Sequence, residues 1–269
     1  MNLRIAVFTC GSLGVEIALA LAALPQVRSV HVLHGPYLVK RRAFPKNVVH
    51  AYKTIGPSGL AKRVASRLGL SGAPAKTGLE DNMQAWLDGA EKAGIAATRV
   101  DDMNSAACQQ ILSDLTPDLG VIAGTYILKP ATFEIPRLGS INLHSGQVPQ
   151  YRGAAPAFWE LYNGETHVGI TIHRVVREVD AGLVIRQELF PLDWHPGQEP
   201  MAFIEAFRHS VLRPNGVRLM AQAVCDLAAN PDAGTPQDTT RAKVYRSPSY
   251  RDIVELRRRL ERRNHENAA

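Results

Sequence analysis

Short apolar runs cut off by glycine or proline constrain this chain more than any other feature. Ile5 to Thr9 ends just before Gly11, and Leu119 to Ala123 lies between Pro117 and Gly124. A strand with one wet face alternates apolar and polar residues, whereas these runs do not, so both of their faces are expected to be covered. Ser29 to Leu33 is a further strand candidate, and Val15 to Leu24 and Leu79 to Ala93 read as helices between the strands. This alternation predicts an α/β fold, Rossmann-like, with a mainly parallel sheet and flanking helices.

After Ile141 the pattern changes. Val168 to Val176 and Leu183 to Leu192 read as strands on either side of a turn at Asp180-Ala181-Gly182. Glu199 to Leu212 and Asn215 to Ala228 read as helices that Pro214 breaks apart, since proline lacks the N–H of a helix interior and clashes with the preceding turn. Asn230 to Asp238 is a turn-rich connection, and Ser249 to Arg263 is a last helix with a frayed Asn/Glu/Ala end. The expected division is a first domain over residues 1–190 and a short, mostly helical C-terminal extension over 191–269.

With 45% hydrophobic and 21% charged residues in a chain of 269, a packed core is expected and general disorder is not. The longest apolar run near the start, Ile17 to Leu24, has eight residues and is too short to cross a bilayer. The N-terminus lacks the basic-apolar-small pattern of a signal peptide. Three cysteines, Cys10, Cys108 and Cys225, are too scattered for a disulfide framework or a zinc site, so no metal is expected. These features together predict a cytoplasmic location.

The net charge of +6 is unevenly spread. No Asp or Glu occurs from Ile17 through Leu79, a stretch that carries ten Lys and Arg between Arg28 and Lys76. Arg257, Arg258, Arg259, Arg262 and Arg263 form a second cluster. Either a solvated face or attraction for a phosphate-bearing partner accounts for this distribution. The Gly/Pro-punctuated segment Pro36 to Pro74, with a helix at Ser58 to Leu68, reads as a partly mobile excursion. No aromatic-interleaved basic pattern points to nucleic acid. The last helix could sit at a subunit interface, which leaves a homodimer open.

Cys10-Gly11-Ser12-Leu13-Gly14 follows the first strand and opens a helix. Such a turn is either a plain strand-to-helix connection or a place where Gly11 and Ser12 offer N–H groups to a substrate phosphate. It is not the dinucleotide fingerprint, because the third glycine is absent and no acid follows the second strand.

The chemically informative segment is Ile141-Asn142-Leu143-His144-Ser145-Gly146-Gln147-Val148-Pro149-Gln150-Tyr151-Arg152-Gly153. Side chains alternate along a strand, so Asn142 and His144 point one way and Leu143 the other, buried, way. Asp180 follows His144 by 36 residues, at the tip of a turn. An amide, an imidazole and a carboxylate are what acyl transfer to an amine requires: a donor for the tetrahedral oxyanion and a group that moves protons near neutral pH.

From about Pro117 to Glu188 the chain resembles the folate-dependent formyltransferase family, which includes methionyl-tRNA, glycinamide ribonucleotide and sugar-nucleotide formyltransferases. The resemblance rests on Asn142-Leu143-His144, Pro149-Gln150-Tyr151-Arg152-Gly153, Gly169-Ile170-Thr171-Ile172-His173 and Asp180-Ala181-Gly182. It implies that Asn142, His144 and Asp180 are catalytic and that 10-formyltetrahydrofolate is the formyl donor. It places the pterin near Tyr126, Ile127 and Leu128 and against the turn residues Val179 and Ala181. Tyr151, Arg152 and Gly153 would border the acceptor, for which a surface salt bridge is the other reading of Arg152.

One departure stands beside the histidine, where the family often has Pro followed by Ser-Leu-Leu and this chain has Ser145-Gly146-Gln147-Val148. That change bears on the acceptor more than on the chemistry. About eighty residues follow Glu188, with no sign of the second, β-barrel domain of tRNA-specific members. The expected acceptor is therefore a small-molecule amine, phosphorylated or nucleotide-linked, such as an amino sugar. A hydrolase releasing formate from the same donor is the runner-up.

Overall fold

The computed structural model describes residues 1–37 and 83–268. The helix expected at Ser58 to Leu68, the start of the one expected at Leu79, and most of the acid-free basic stretch lie outside the described residues. Strands and helices alternate first as β1 (Leu3–Thr9), α1 (Ser12–Ala22), β2 (Val27–His34), α2 (Met83–Lys92) and β3 (Ala96–Arg99). Then follow α3 (Ala106–Leu115), β4 (Leu119–Ile122), α4 (Pro130–Phe133), β5 (Ser140–His144), β6 (Arg152–Gly153) and α5 (Phe158–Asn163). The remainder is β7 (His167–Arg174), β8 (Val184–Pro191), α6 (Pro200–Phe207), α7 (Arg213–Ala229), β9 (Val244–Tyr245) and α8 (Tyr250–Ala268).

Seven strands form one sheet in the order β3-β2-β1-β4-β5-β7-β8. The first five are parallel, and β7 and β8 add an antiparallel edge. This is the expected α/β architecture with a mainly parallel sheet. The strand order reverses between β1 and β4, the kind of position at whose carboxyl ends open α/β sheets bind ligands.

The two-sided burial read from the apolar runs is visible residue by residue. Along β1, Ile5 and Val7 pack into one cluster with Val15 and Leu21 of α1 and Leu219, Val224 and Leu227 of α7. Ala6 and Phe8 pack into the other, with Met103, Cys108, Leu112 and Phe133. Each large side chain buried this way contributes roughly 1.5–3 kcal/mol relative to exposure. Residues beyond 190 share the first cluster, which also takes in Ile204, Leu256 and Leu260. Among the described residues no helix is long and apolar enough to cross a membrane.

Two expectations need correction. Pro214 does not split two helices; α6 passes into a π-helical turn, Arg208–Leu212, and α7 follows directly with the proline in its first turn. The Arg213 N–H reaches back to the Arg208 carbonyl, and the wider turn leaves Pro214 at a position that needs no N–H of its own. The last helix is also longer than expected. Its start is fixed by Ser249, whose N–H and hydroxyl both donate to Asp252 Oδ2 at 2.6 Å, and it runs on to Ala268. The mostly helical C-terminal part also holds one short strand. The two-residue strand β9 pairs in parallel with β6, so residues 244–245 lie against the loop after β5.

Candidate active site

Strand pairing puts four polar side chains on one sheet face. Asn142 lies opposite His173, and His144 opposite Thr171. On the reverse face Leu143 packs in the first cluster, so close to α7 that a side chain on Gly216 would meet it. The β7–β8 turn folds back over the polar face and delivers Asp180, whose φ of +49° is a left-handed conformation that Asp tolerates better than most residues.

Asp180 is where everything converges. Its Oδ2 lies 3.4 Å from His144 Nδ1 and its Oδ1 lies 3.2 Å from His173 Nε2. The Asn142 amide nitrogen is 3.5 Å from the same Oδ1 and 3.2 Å from His173 Nε2. The Gly153 N–H donates to Oδ2 at 2.8 Å.

Backbone carbonyls orient both rings. His144 Nε2 is 2.6 Å from the Tyr151 carbonyl and His173 Nδ1 is 2.8 Å from the Arg174 carbonyl. A carbonyl only accepts, so each of these nitrogens carries a proton, and each ring turns its other nitrogen towards Asp180. A bare ring nitrogen against an ionised carboxylate is repulsive, so the cluster holds a proton between them. Burial pushes His144 below the ordinary histidine range, with Asp180 and the Tyr151 carbonyl opposing. Burial alone would raise Asp180, yet the His173 hydrogen bond, the His144 charge and the Gly153 N–H together hold its carboxyl below the usual carboxylate range.

The loop after His144 is held in place by side chains on β7 and β8. Thr171 Oγ1 donates to the Gly146 carbonyl at 2.7 Å, and Gln187 Nε2 donates to the Val148 carbonyl at 2.9 Å. Any side chain on Gly146 would collide with His144 Nε2 and the Tyr151 carbonyl oxygen, so glycine is what lets the loop close on the ring.

The structure also reassigns residues expected to contact the acceptor. Arg152 is 6% exposed, which rules out a surface salt bridge. Its guanidinium donates to Gln237 Oε1 at 2.6 and 3.2 Å, and Gln237 in turn donates to the carbonyls of Asp180 and Gly182 at 2.9 and 2.7 Å. Arg152 and Gly153 therefore hold the Asp180 turn, Gly153 at φ +95° through its N–H. Tyr151 supplies the carbonyl to His144 while its ring stacks on Tyr245 at 5.2 Å.

At the Gly11 turn, the Gly11 N–H donates to Thr9 Oγ1 at 3.1 Å, and Ser12 Oγ accepts from Arg213 at 3.0 Å. Of the residues assigned to the pterin, Ile127 is 75% exposed and Val179 41% exposed, while Ala181 is partly buried and Leu128 is buried in the second cluster. The Tyr126 hydroxyl donates to Asp102 and accepts the Met103 N–H, and burial pushes its pKa up to about 12.

Sequence reasoning missed three residues. His173 had a signal, because Thr171 and His173 alternate onto one face just as Asn142 and His144 do. Gln237 and Glu160 had none. Glu160, on α5, lines a small recess together with His144, Ser145, Tyr151, Trp159 and Tyr245.

Residues 102–202 match the family described as formyl transferase. Methionyl-tRNA formyltransferase of Parabacteroides distasonis is 30% identical over 164 residues, which are 61% of this chain and 46% of that relative. The chain thus spans less than half the length of this curated relative. Glycinamide ribonucleotide transformylase 1 from Symbiobacterium toebii has the same fold, with a TM-score of 0.55, 18% identity, and 85% of this chain and 88% of that chain covered. A sugar 3N-formyl transferase, WlaRD, solved in the presence of dTDP and 5-N-formyl-THF, aligns with a TM-score of 0.50 and 12% identity over 91% of this chain and 70% of its own. Residues 102–202, the stretch that brings Asn142, His144, His173 and Asp180 together, are thus similar to the formyl transferase family.

Proposed function

We propose that this protein is an N-formyltransferase, moving a formyl group from 10-formyltetrahydrofolate to the primary amine of a small-molecule acceptor such as a nucleotide-linked amino sugar. The observation that carries the reading is the single carboxylate of Asp180 shared by two imidazoles, beside the Asn142 amide. In the reaction the amine nitrogen bonds to the formyl carbon and the carbonyl oxygen becomes an oxyanion. The Asn142 N–H is the donor that stabilises it. The new C–N bond is kept when the donor's nitrogen leaves with a proton, and the Asp180–His144 pair can take the amine's proton and return one. His173 holds Asp180 ionised for that exchange.

The donor is a co-substrate, and the uncovered apolar side chains of Ile127 and Val179 support a flat pterin lying against them. The name of the curated relative favours a second acceptor, the amine of methionyl-tRNA. Water in place of the amine would make the protein a hydrolase.

The experiment incubates the protein with 10-formyltetrahydrofolate and a panel of nucleotide-linked amino sugars, methionyl-tRNA, or neither, while tetrahydrofolate release and acceptor mass are followed. Release that depends on an amino sugar, with a formyl gain on it, is the expected result. Formylation of methionyl-tRNA alone replaces the acceptor, and acceptor-independent formate replaces the reaction class.

A further inference from the structure

Glu160 is unused by the chemistry above, and its setting is unusual for a carboxyl group. It is 2% exposed, and among the described residues no Lys or Arg pairs with it. Its own N–H and that of Ala157 point at the carboxyl, a capping arrangement in which glutamine serves as well as glutamate. Capping therefore does not explain an acid. Burying a carboxyl without a cation is costly and is tolerated where a cation arrives from outside.

The recess supplies the rest of the argument. Glu160 shares it with His144, so one cavity joins the unpaired carboxyl to the proposed reacting centre. Its walls include Trp159 and Tyr245, stacked at 5.2 Å, and the Tyr151 ring on the other side of Tyr245. These rings wall the recess, and Lys243 and Arg246 lie over Tyr245 and Trp159 at 4.7 and 5.6 Å. The space has room for a group about the size of one water molecule, which is the size of an ammonium head. The groups facing Glu160 are His144 from β5, Tyr151 and Arg152 from the loop and β6, Tyr245 from β9, and Glu165 after α5. Arg152 is already engaged by Gln237.

We propose that Glu160 and this recess form the acceptor-amine site, in which the carboxylate binds the incoming ammonium and takes one proton from it. The ammonium becomes a neutral amine as the carboxylate becomes a carboxylic acid, and the freed lone pair is available to the formyl carbon beside His144. The resting carboxyl gives its proton to solvent when the ammonium enters. Burial already holds it protonated, with a pKa pushed up to about 8, close enough to neutrality for both steps. This assignment rests on the transferase reading.

The test uses the full chain and two amines of nearly equal size: ethylamine, an ammonium ion at neutral pH, and methoxyamine, which is neutral there. Wild type and Glu160→Gln, each saturated with 10-formyltetrahydrofolate, are assayed for N-formyl product from acid to alkaline pH. Glu160→Gln is expected to lower ethylamine turnover at neutral pH by at least about a hundredfold, with the loss shrinking as pH rises, and to keep methoxyamine turnover within about twofold. Equal losses with both amines, or none with ethylamine, overturn the assignment and leave the transferase standing. Formate and tetrahydrofolate release without product from either amine overturns the transferase reading and this assignment with it. If Glu160→Gln does not fold, carbon-13 NMR of wild type decides. The Glu160 carboxyl midpoint must fall on adding ethylamine and stay put on adding methoxyamine; an unmoved midpoint overturns the proposal.

Discussion

Two buried carboxyl groups flank His144, and the chain treats them in opposite ways. Asp180 arrives on a turn and is met by two imidazoles and a backbone N–H, which hold it ionised. Glu160 arrives on a helix among aromatic rings and, among the described residues, pairs with no Lys or Arg, so burial holds it protonated. Burial is common to both; what differs is the partner set. When two acids near one reactive centre are pushed apart in this way, they can serve as base and acid at one pH.

The comparison can be broken most directly at Asp180. Asp180→Asn keeps the shape of the side chain and removes its charge, and turnover is expected to fall by about a thousandfold with the circular-dichroism melt preserved. Near-normal turnover would reduce Asp180 to scaffolding. A sharper test removes its strongest supporter. In His173→Asn the Asp180 carboxyl loses the hydrogen bond that does most to offset burial, so it titrates higher. Because the active form is the ionised one, the acid limb of the kcat/KM profile should move to higher pH, with about a tenfold loss near neutrality. An unmoved limb would detach His173 from Asp180.

The smallest effect is on stability at Glu160. Its folded carboxyl holds a proton that the unfolded one loses, so folding weakens as pH rises from 4.5 to about 8. Glu160→Gln should flatten this part of the curve in urea unfolding followed across pH. Parallel curves for the two proteins would mean that Glu160 is solvated after all.

The Asp180 side of this comparison is legible in the sequence and the Glu160 side is not. Alternation along a strand is a local rule, and spacing alone sets Asn142 and His144 on one face. Applied to Gly169 through His173, the same rule adds His173. Glu160 sits in Phe158-Trp159-Glu160-Leu161-Tyr162-Asn163, where an acid on a short helix looks like a solvated residue. The recess it lines is closed by β9, which lies far along the chain, and by the loop after β5. The strands β6 and β9 are two residues each and carry no periodicity to read. Pro214 shows the converse failure. The local objection to proline in a helix is sound, but the π-helical turn before it meets the objection without bending the chain into two helices.

The brace made by Gln237 has a consequence for anyone wishing to move this site elsewhere. The matched stretch, residues 102–202, contains every side chain of the Asp180 cluster, yet the amide that fastens the Asp180 turn to Arg152 lies outside it. So does Tyr245, whose strand closes the recess. A transplant cut at the limits of the match would carry the reactive letters without their clasp. The portable unit comes in two pieces, the matched stretch and residues 237–245, and a host scaffold would have to present both at once.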